Sequence, residues 1–497
     1  MKSKRIIRLF AAAAVAGGMT AALPLHGFAA YEAREVGVYG DLDGSMSVDS
    51  TDVHILADYL RVPGKEISGE YADINHDGAV NAVDLTLIKR LVLTGAEREV
   101  KTELVEVEEK PIQAPIQELE PSLPSTGDVQ VLMFTVNFPD CKFTEGYTTE
   151  QVWEMSFGPE DKSCSAYPLE SISAYYERAS YGRLHVHGDV FEYTAKNGID
   201  YYVDNTDTLV EEVLGAFDAQ LDYNKYDVSG DKEMDTLILA LPGSADQDDW
   251  WPVSGGYYGR KRFDNVRASN LLIGGWSLSD REGFNNTWIH EMGHGMGLPD
   301  YYKYENYKQG DQFGLNGDAG WTMMDDAYGD MTCFDKLMYG WYNEDEVYVY
   351  DGTTHEFTLE SSQKAPNCIL IPLKSDEGYF SEYFMVEYVT HEGNNSTWWL
   401  FKEGGIRVLH CAAEKVEGYW GPEFKYSNYG KYYDTSNEKQ RVLRLVNDGN
   451  GFFGDGDVVN STFRNFMWYD EWGYSTVKPN LQITLTKTGD TFTVKID

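Results

Sequence analysis

Apolar residues along this chain change their period repeatedly, and each change predicts an element. After a basic start (Lys2, Lys4, Arg5, Arg8), an Ala-rich apolar run covers 9–25 and ends near the small residues Gly27 and Ala29. That anatomy is a signal peptide's, and Gly17, Gly18 and Thr20 interrupt the run too much for a membrane span. Leu85, Ile88 and Leu91 then share one helical face. A near-continuous apolar stretch over 131–138 predicts a buried strand, 171–179 a helix and 182–191 a strand. On that last strand His185 and His187 share a face opposite Leu184 and Val186, which reads as a polar outer face rather than a metal pair. Leu209, Val210, Val213, Leu214 and Phe217 keep helical spacing, Thr236–Leu241 is an apolar strand, and 270–276 is a short apolar strand expected at a sheet edge. Beyond Trp341 the pattern alternates, with strands expected over 369–373, 383–389, 406–410 and 481–496.

These elements divide the chain into a leader (1–29), a small helical module (36–97), a Pro/Glu-rich linker (98–127), an α/β (α+β) domain (128–345) and a C-terminal all-β, sandwich-like domain (346–497). The linker is read from composition, with Pro111, Pro115, Pro121 and Pro124 among Glu and Gln. Five scattered cysteines form no C-x-x-C pair and permit at most two internal disulfides. With 81 acidic against 41 basic residues the net charge is −40, which argues against nucleic acid or an anionic membrane as partner. It suits calcium sites, because hard cations take carboxylate oxygens.

The candidate chemistry is concentrated in Trp-Ile-His-Glu-Met-Gly-His-Gly-Met-Gly-Leu-Pro-Asp, 288–300. On a helix of about 3.6 residues per turn, His290 and His294 leave the same face, spaced for two imidazoles on one zinc ion. Glu291 stands beside the metal as general base toward its water. Gly297 supplies the turn that returns Asp300 as third ligand, so that a fourth position stays open for catalysis. Further on, Gly320-Trp321-Thr322-Met323-Met324-Asp325 predicts a tight turn with methionine under the ligands.

Two earlier segments carry the calcium-loop pattern. In the clearer one Asp73, Asn75, Asp77, Asn81 and Asp84 supply side-chain oxygens, Ala79 a carbonyl, and Gly78 the turn. The other offers Asp41, Asp43, Ser45, Asp49 and Asp52, with Met46 where the glycine would be, and is expected to bind more weakly. A third loop, with Asp227, Ser229, Asp231 and Asp235, reads either as a calcium loop or as a plain acidic turn.

The duplicated loop–helix unit resembles a dockerin, the module that plugs an exported enzyme into a cohesin of a scaffoldin. The resemblance implies cohesin contacts at Ser50 and Thr51 in one repeat and Ala82 and Val83 in the other. The stretch 129–341 resembles the secreted immune inhibitor A metalloproteases, which are metzincin-like. The likeness lies in Phe138-Pro139-Asp140, Ala174-Tyr175-Tyr176, Ser180-Tyr181-Gly182, the loop before Thr236–Leu241, the 290–300 motif, the turn at 321–324 and the segment 336–341. It implies zinc at His290, His294 and Asp300, Glu291 as base and acid, and Met324 as the Met-turn residue. Two departures stand out: the Asp227 loop has fewer Asp and Gly than the family's, and the bulky prosegment is missing. In the C-terminal part, Glu382-Tyr383-Phe384-Met385-Val386-Glu387 resembles a recurring segment of the same family.

The expectation is therefore an extracellular zinc endopeptidase acting on protein or peptide, docked through calcium to a cellulosome-like assembly. The alternatives are a non-catalytic adhesion or scaffold protein, against which the intact His290, Glu291 and His294 weigh, and a glycan-acting enzyme, for which no paired-carboxylate pattern speaks.

Overall fold

The computed structural model describes residues 6–7, 30–62, 64–95, 99–107, 109–243, 248–302, 320–374, 378–419, 421–427, 441–447, 451–470 and 475–497. The chain divides into two units, Met1–Lys110 and Pro111–Asp497. Of the leader expected over 1–29, all but Ile6–Ile7 lies outside the described residues.

In the first unit, β1 (Ala30–Val38) enters and β2 (Val100–Val107) leaves, paired antiparallel. Between them lie α1 (Ser50–Arg61) and α2 (Ala82–Thr94), packed through Leu56 and Ile88, both fully buried. Each helix starts at a capping box, Asp49 with Asp52 and Asn81 with Asp84. The last residue of each loop therefore closes the loop and caps the helix that follows.

The second unit is built on a five-stranded sheet. Its order is β4 (Leu184–Thr194), β3 (Gly127–Asn137), β5 (Thr236–Leu241), β7 (Asn270–Gly275) and β6 (Val253–Gly256). The first four run parallel and β6 pairs antiparallel with β7. The 270–276 segment is thus not the edge expected; Val253–Gly256 is. β7 is buried along its whole length, as its unbroken apolar run requires, whereas Ser254, Gly255 and Gly256 carry no strand pattern. On one face pack α3 (Thr149–Phe157), α4 (Ile172–Ala179) and α6 (Arg281–Gly295); on the other packs α5 (Thr206–Phe217).

Two boundaries read from the sequence are corrected, one drawn from composition and one from the change to alternating strands. The 98–127 segment is not a free linker. Its first part is strand β2; its second docks Ile112, Ile116 and Leu123 into the main core. Backbone bonds fix it there, from Ile112 N–H to the Tyr342 carbonyl (2.9 Å) and from Leu123 N–H to the Gly295 carbonyl (3.0 Å). The prolines space the apolar residues; they do not release the chain.

Nor is 345/346 a boundary in packing. The strands β8 (Cys368–Pro372), β9 (Glu382–Val389) and β10 (Gly405–Ala412) lie in a second five-stranded sheet. Ile369, Ile371, Phe384, Val386, Ile406 and Val408 face a four-stranded sheet that holds Ile483, Leu485, Val494 and Ile496. The alternate residues Leu370, Tyr383, Met385, Leu409 and Cys411 join the core around α6 and α7 (Cys333–Met338). A sheet covered on both faces explains strands that are apolar at successive positions. All five cysteines are thiols.

Candidate metal centre and calcium loops

Helix α6 is buried along nearly its entire length, from Gly283 to Gly295 with only His294 partly exposed. Polar groups in such a helix need partners. Asn285 donates to the carbonyls of Met155 (2.8 Å) and Leu169 (2.9 Å). Tyr176 and Tyr339 donate to the Ile289 and Gly293 carbonyls, at 2.6 and 2.9 Å. A Cβ on Gly293 would lie 2.4 Å from the Met324 sulfur, so this methionine packs against the backbone between the two histidines. The helix ends where Gly297 turns at φ 104°; a Cβ there would also meet Ile116 at 2.8 Å.

That turn returns Asp300 to the histidines. His290 Nε2 lies 3.0 Å from Asp300 Oδ1, His294 Nε2 3.2 Å from the same oxygen, and the two Nε2 atoms 3.1 Å apart. Ligands about 2.0–2.1 Å from a tetrahedral ion sit about 3.4 Å from one another, close to this triangle. The opposite ring nitrogens are committed. His290 Nδ1 donates to the Met323 carbonyl and His294 Nδ1 to the Leu298 carbonyl, both at 2.8 Å. A carbonyl only accepts, so each Nδ1 carries a proton, and each ring turns its Nε2, the nitrogen whose lone pair a metal would take, toward the carboxylate. Three lone-pair donors facing one another call for a cation. Burial opposes charge on Asp300, yet His294 and His290 hold its carboxyl far below the usual range. Burial likewise opposes charge on His294, yet Asp300 raises its pKa to about 9. The donor set fits a metal ion.

Glu291 is not a member of the three-residue cluster. Its Oε2 accepts the Ser254 N–H of edge strand β6, and burial raises its pKa, against the pull of the two histidines. With the ligands it lines a cleft of about 490 Å³. Leu119, Trp251, Val253, Phe424 and Ser427 line the same cleft, and sequence reasoning missed them all. Only the Trp250-Trp251-Pro252 cluster was a signal, and it is too short to show period.

The two loops of the first unit have the same hydrogen-bond plan. Asp41 accepts from the N–H groups of Gly44, Ser45 and Met46, and Asp73 from those of Asp77 and Gly78. Asp52 accepts from Leu42 and Asp49, as Asp84 does from Ile74 and Asn81. Both loops take left-handed backbone at positions 4 and 6: Gly44 and Met46 in the first, His76 and Gly78 in the second. Each repeat has one glycine for two such positions. The carboxylates of Asp41, Asp43 and Asp52 converge as a group that could hold a metal. In the second repeat Asn75 takes Asp43's place; its amide donates to Asp77 at 2.9 Å, and Asn81 donates to the Ala79 carbonyl at 3.0 Å. Ser50 and Thr51 open α1, and Ala82 and Val83 open α2.

Other candidates are drawn elsewhere. Asp227 accepts from Gly230 and Lys232 N–H within its own turn, Ser229 donates to it at 3.4 Å, and Asp231 accepts from Glu233 N–H. Asp235 accepts from Gln130 and Val228, and burial raises it to about 6. The three carboxylates form no metal group among the described residues. His185 pairs with Glu177 (2.8 Å) and His187 with Asp128 (3.0 Å), as an outer polar face should.

No helix among the described residues is long and apolar enough to cross a membrane. No curated protein matches the chain. Residues 39–93 match the dockerin type I domain, so the first unit of this chain carries a dockerin type I domain.

Proposed function

We propose that the chain is a secreted zinc endopeptidase with a metzincin-like catalytic region, attached through its dockerin to a cohesin-bearing scaffold. The observation that carries the reading is the triangle of His290 Nε2, His294 Nε2 and Asp300 Oδ1, with both Nδ1 protons committed to carbonyls. His290, His294 and Asp300 would hold zinc, which would supply Lewis acidity toward a water and the scissile carbonyl. The rest falls to the chain. Glu291, raised by burial and oriented by the Ser254 N–H, takes the water's proton and passes it to the departing amine. Strand β6 presents an outer edge beside that carboxylate, suited to an extended peptide bound through its backbone. Met324, packed on Gly293, serves as the floor under the ligands. The retained Glu291 weighs against a non-catalytic binding role, which needs a metal at most.

Peptide hydrolysis that stops with a chelator, and that Glu291→Ala lowers by at least about 100-fold, is the expected outcome. Turnover in Glu291→Ala equal to the wild type's would contradict the mechanism.

For the dockerin, calcium in the two loops and a cohesin partner are the corresponding proposals, with Ser50, Thr51, Ala82 and Val83 as contact positions. Capture on immobilised type I cohesins should require calcium and be lost on replacing Asp73 and Asp84 by Ala. Capture indifferent to calcium removal argues for a different attachment.

A further inference from the structure

The turn that supports the metal ligands is not held by the catalytic region alone. Hydrogen bonds tie residues 321–324 to four residues outside the turn, His290, Tyr301, Asp330 and Arg407. The Met323 carbonyl accepts from His290 Nδ1 at 2.8 Å, and the Met324 carbonyl from the N–H of Tyr301, next to Asp300, at 2.9 Å. Through these two oxygens the turn orients both a histidine and the carboxylate. On its other side the turn hangs from Asp330, whose carbonyl accepts from Thr322 Oγ1 (3.0 Å) and from Met323 N–H (3.4 Å). The fourth connection is at Trp321, whose carbonyl accepts from Arg407 Nη1 at 3.1 Å.

Both anchors of this assembly come from the β-rich half. Asn395, between β9 and β10, accepts the Asp330 N–H at 2.9 Å, while Asn394 donates to Asp330 Oδ1 at 2.9 Å. Lys336, fully buried, fixes the second Asp330 oxygen at 2.7 Å. Arg407 on β10 pairs its Nε with Glu387 on β9 at 2.9 Å, which leaves its outer nitrogen aimed at the turn. Asn395 is 1 % and Arg407 2 % exposed. The Asn395 Nδ2 has no hydrogen-bond partner among the described residues. A leucine would fill that space without desolvating an amide, so packing alone does not call for asparagine. Its oxygen is what the fold uses.

We propose that Asn395 and Arg407 are positioning residues for the metal site, acting through the backbone of the 321–324 turn on His290 and Asp300. The inference rests on the metal-binding reading above. The β-rich half is then a structural part of the metal centre, and not an appended module.

The test uses the full chain, stripped of metal and titrated with zinc against a competing chelator, then with cobalt(II) as a spectroscopic probe. Asn395→Leu removes the acceptor and keeps a side chain of four heavy atoms branched at Cγ. Val494→Ala cuts a cavity in the distal sheet and touches nothing near the turn. Asn395→Leu should weaken zinc binding by about tenfold and shift the visible bands of the cobalt form. Val494→Ala should lower the melting temperature yet keep zinc affinity within about twofold of wild type. An Asn395→Leu protein with wild-type affinity and spectrum overturns the inference and leaves the metal reading intact. A wild type that binds zinc no better than His294→Ala overturns both. Should Asn395→Leu fail to fold, Arg407→Lys decides by the same readouts, since it keeps the pairing with Glu387 and lacks the nitrogen that reaches Trp321.

Discussion

A buried ionisable residue costs free energy unless a partner, a proton or a cation compensates it, and α6 and its neighbours compensate theirs in different ways. His290, His294 and Asp300 converge on a cation position. Glu291 keeps a raised pKa through burial, which suits a base. Asp335 differs: it accepts from Tyr301 OH and Thr332 N–H, at 2.7 Å each, and lies outside the cleft that Glu291 lines. Burial still raises it to about 6. Its unfolded pKa is about 3.9, so between these values the folded state holds the proton that the unfolded state has lost. Stability from this group is therefore greatest below about pH 4 and falls as pH rises through 6, by on the order of 3 kcal/mol. Urea unfolding at pH 4.5 and 7 should show a smaller loss in Asp335→Asn than in wild type. Equal losses would mean that the carboxyl is ionised across the whole window.

At the scale of elements, local pattern carried much of the fold. The 171–179 helix is observed as Ile172–Ala179 with Ser171 as its cap, and Thr236–Leu241 is the strand its residues predict. These are decided by nearest neighbours in sequence. The edge strand was not legible, because Ser254, Gly255 and Gly256 become a strand only by pairing with β7. The calcium-type loops were legible as spacing, but not the second left-handed position, which only the backbone reveals. Met46 occupies such a position at φ 62° with its side chain half exposed. Glycine there relieves about 1–2 kcal/mol of backbone strain. It gives back roughly 0.5–1 through its freer unfolded chain. Met46→Gly should thus stabilise the first unit by about 0.5–1 kcal/mol, seen as a higher melting temperature of its transition in calcium. A lower one would show that the methionine makes contacts worth more than the strain.

For the molecule as a whole, the residues with chemistry could be read from sequence and the surfaces that surround them could not. The spacing of His290, His294 and Asp300 is local, and so it survives in the primary structure. The cleft wall comes from Leu119, Val253 and Phe424, far apart in the chain. Composition assigned the first of these to a linker, and the change to alternating strands assigned the last to a separate domain. Long-range packing overrode both assignments, since Ile116, Met292, Leu337 and Met385 share one core. The central claim is that this core aims a zinc site and Glu291 at a peptide bound along β6. It is tested most directly by digesting a peptide library with wild type and with Glu291→Ala, each assayed for bound zinc and for fold. The account predicts new amino termini from the wild type alone, with equal zinc in both proteins. The same cleavage products at the same rate from both would contradict it.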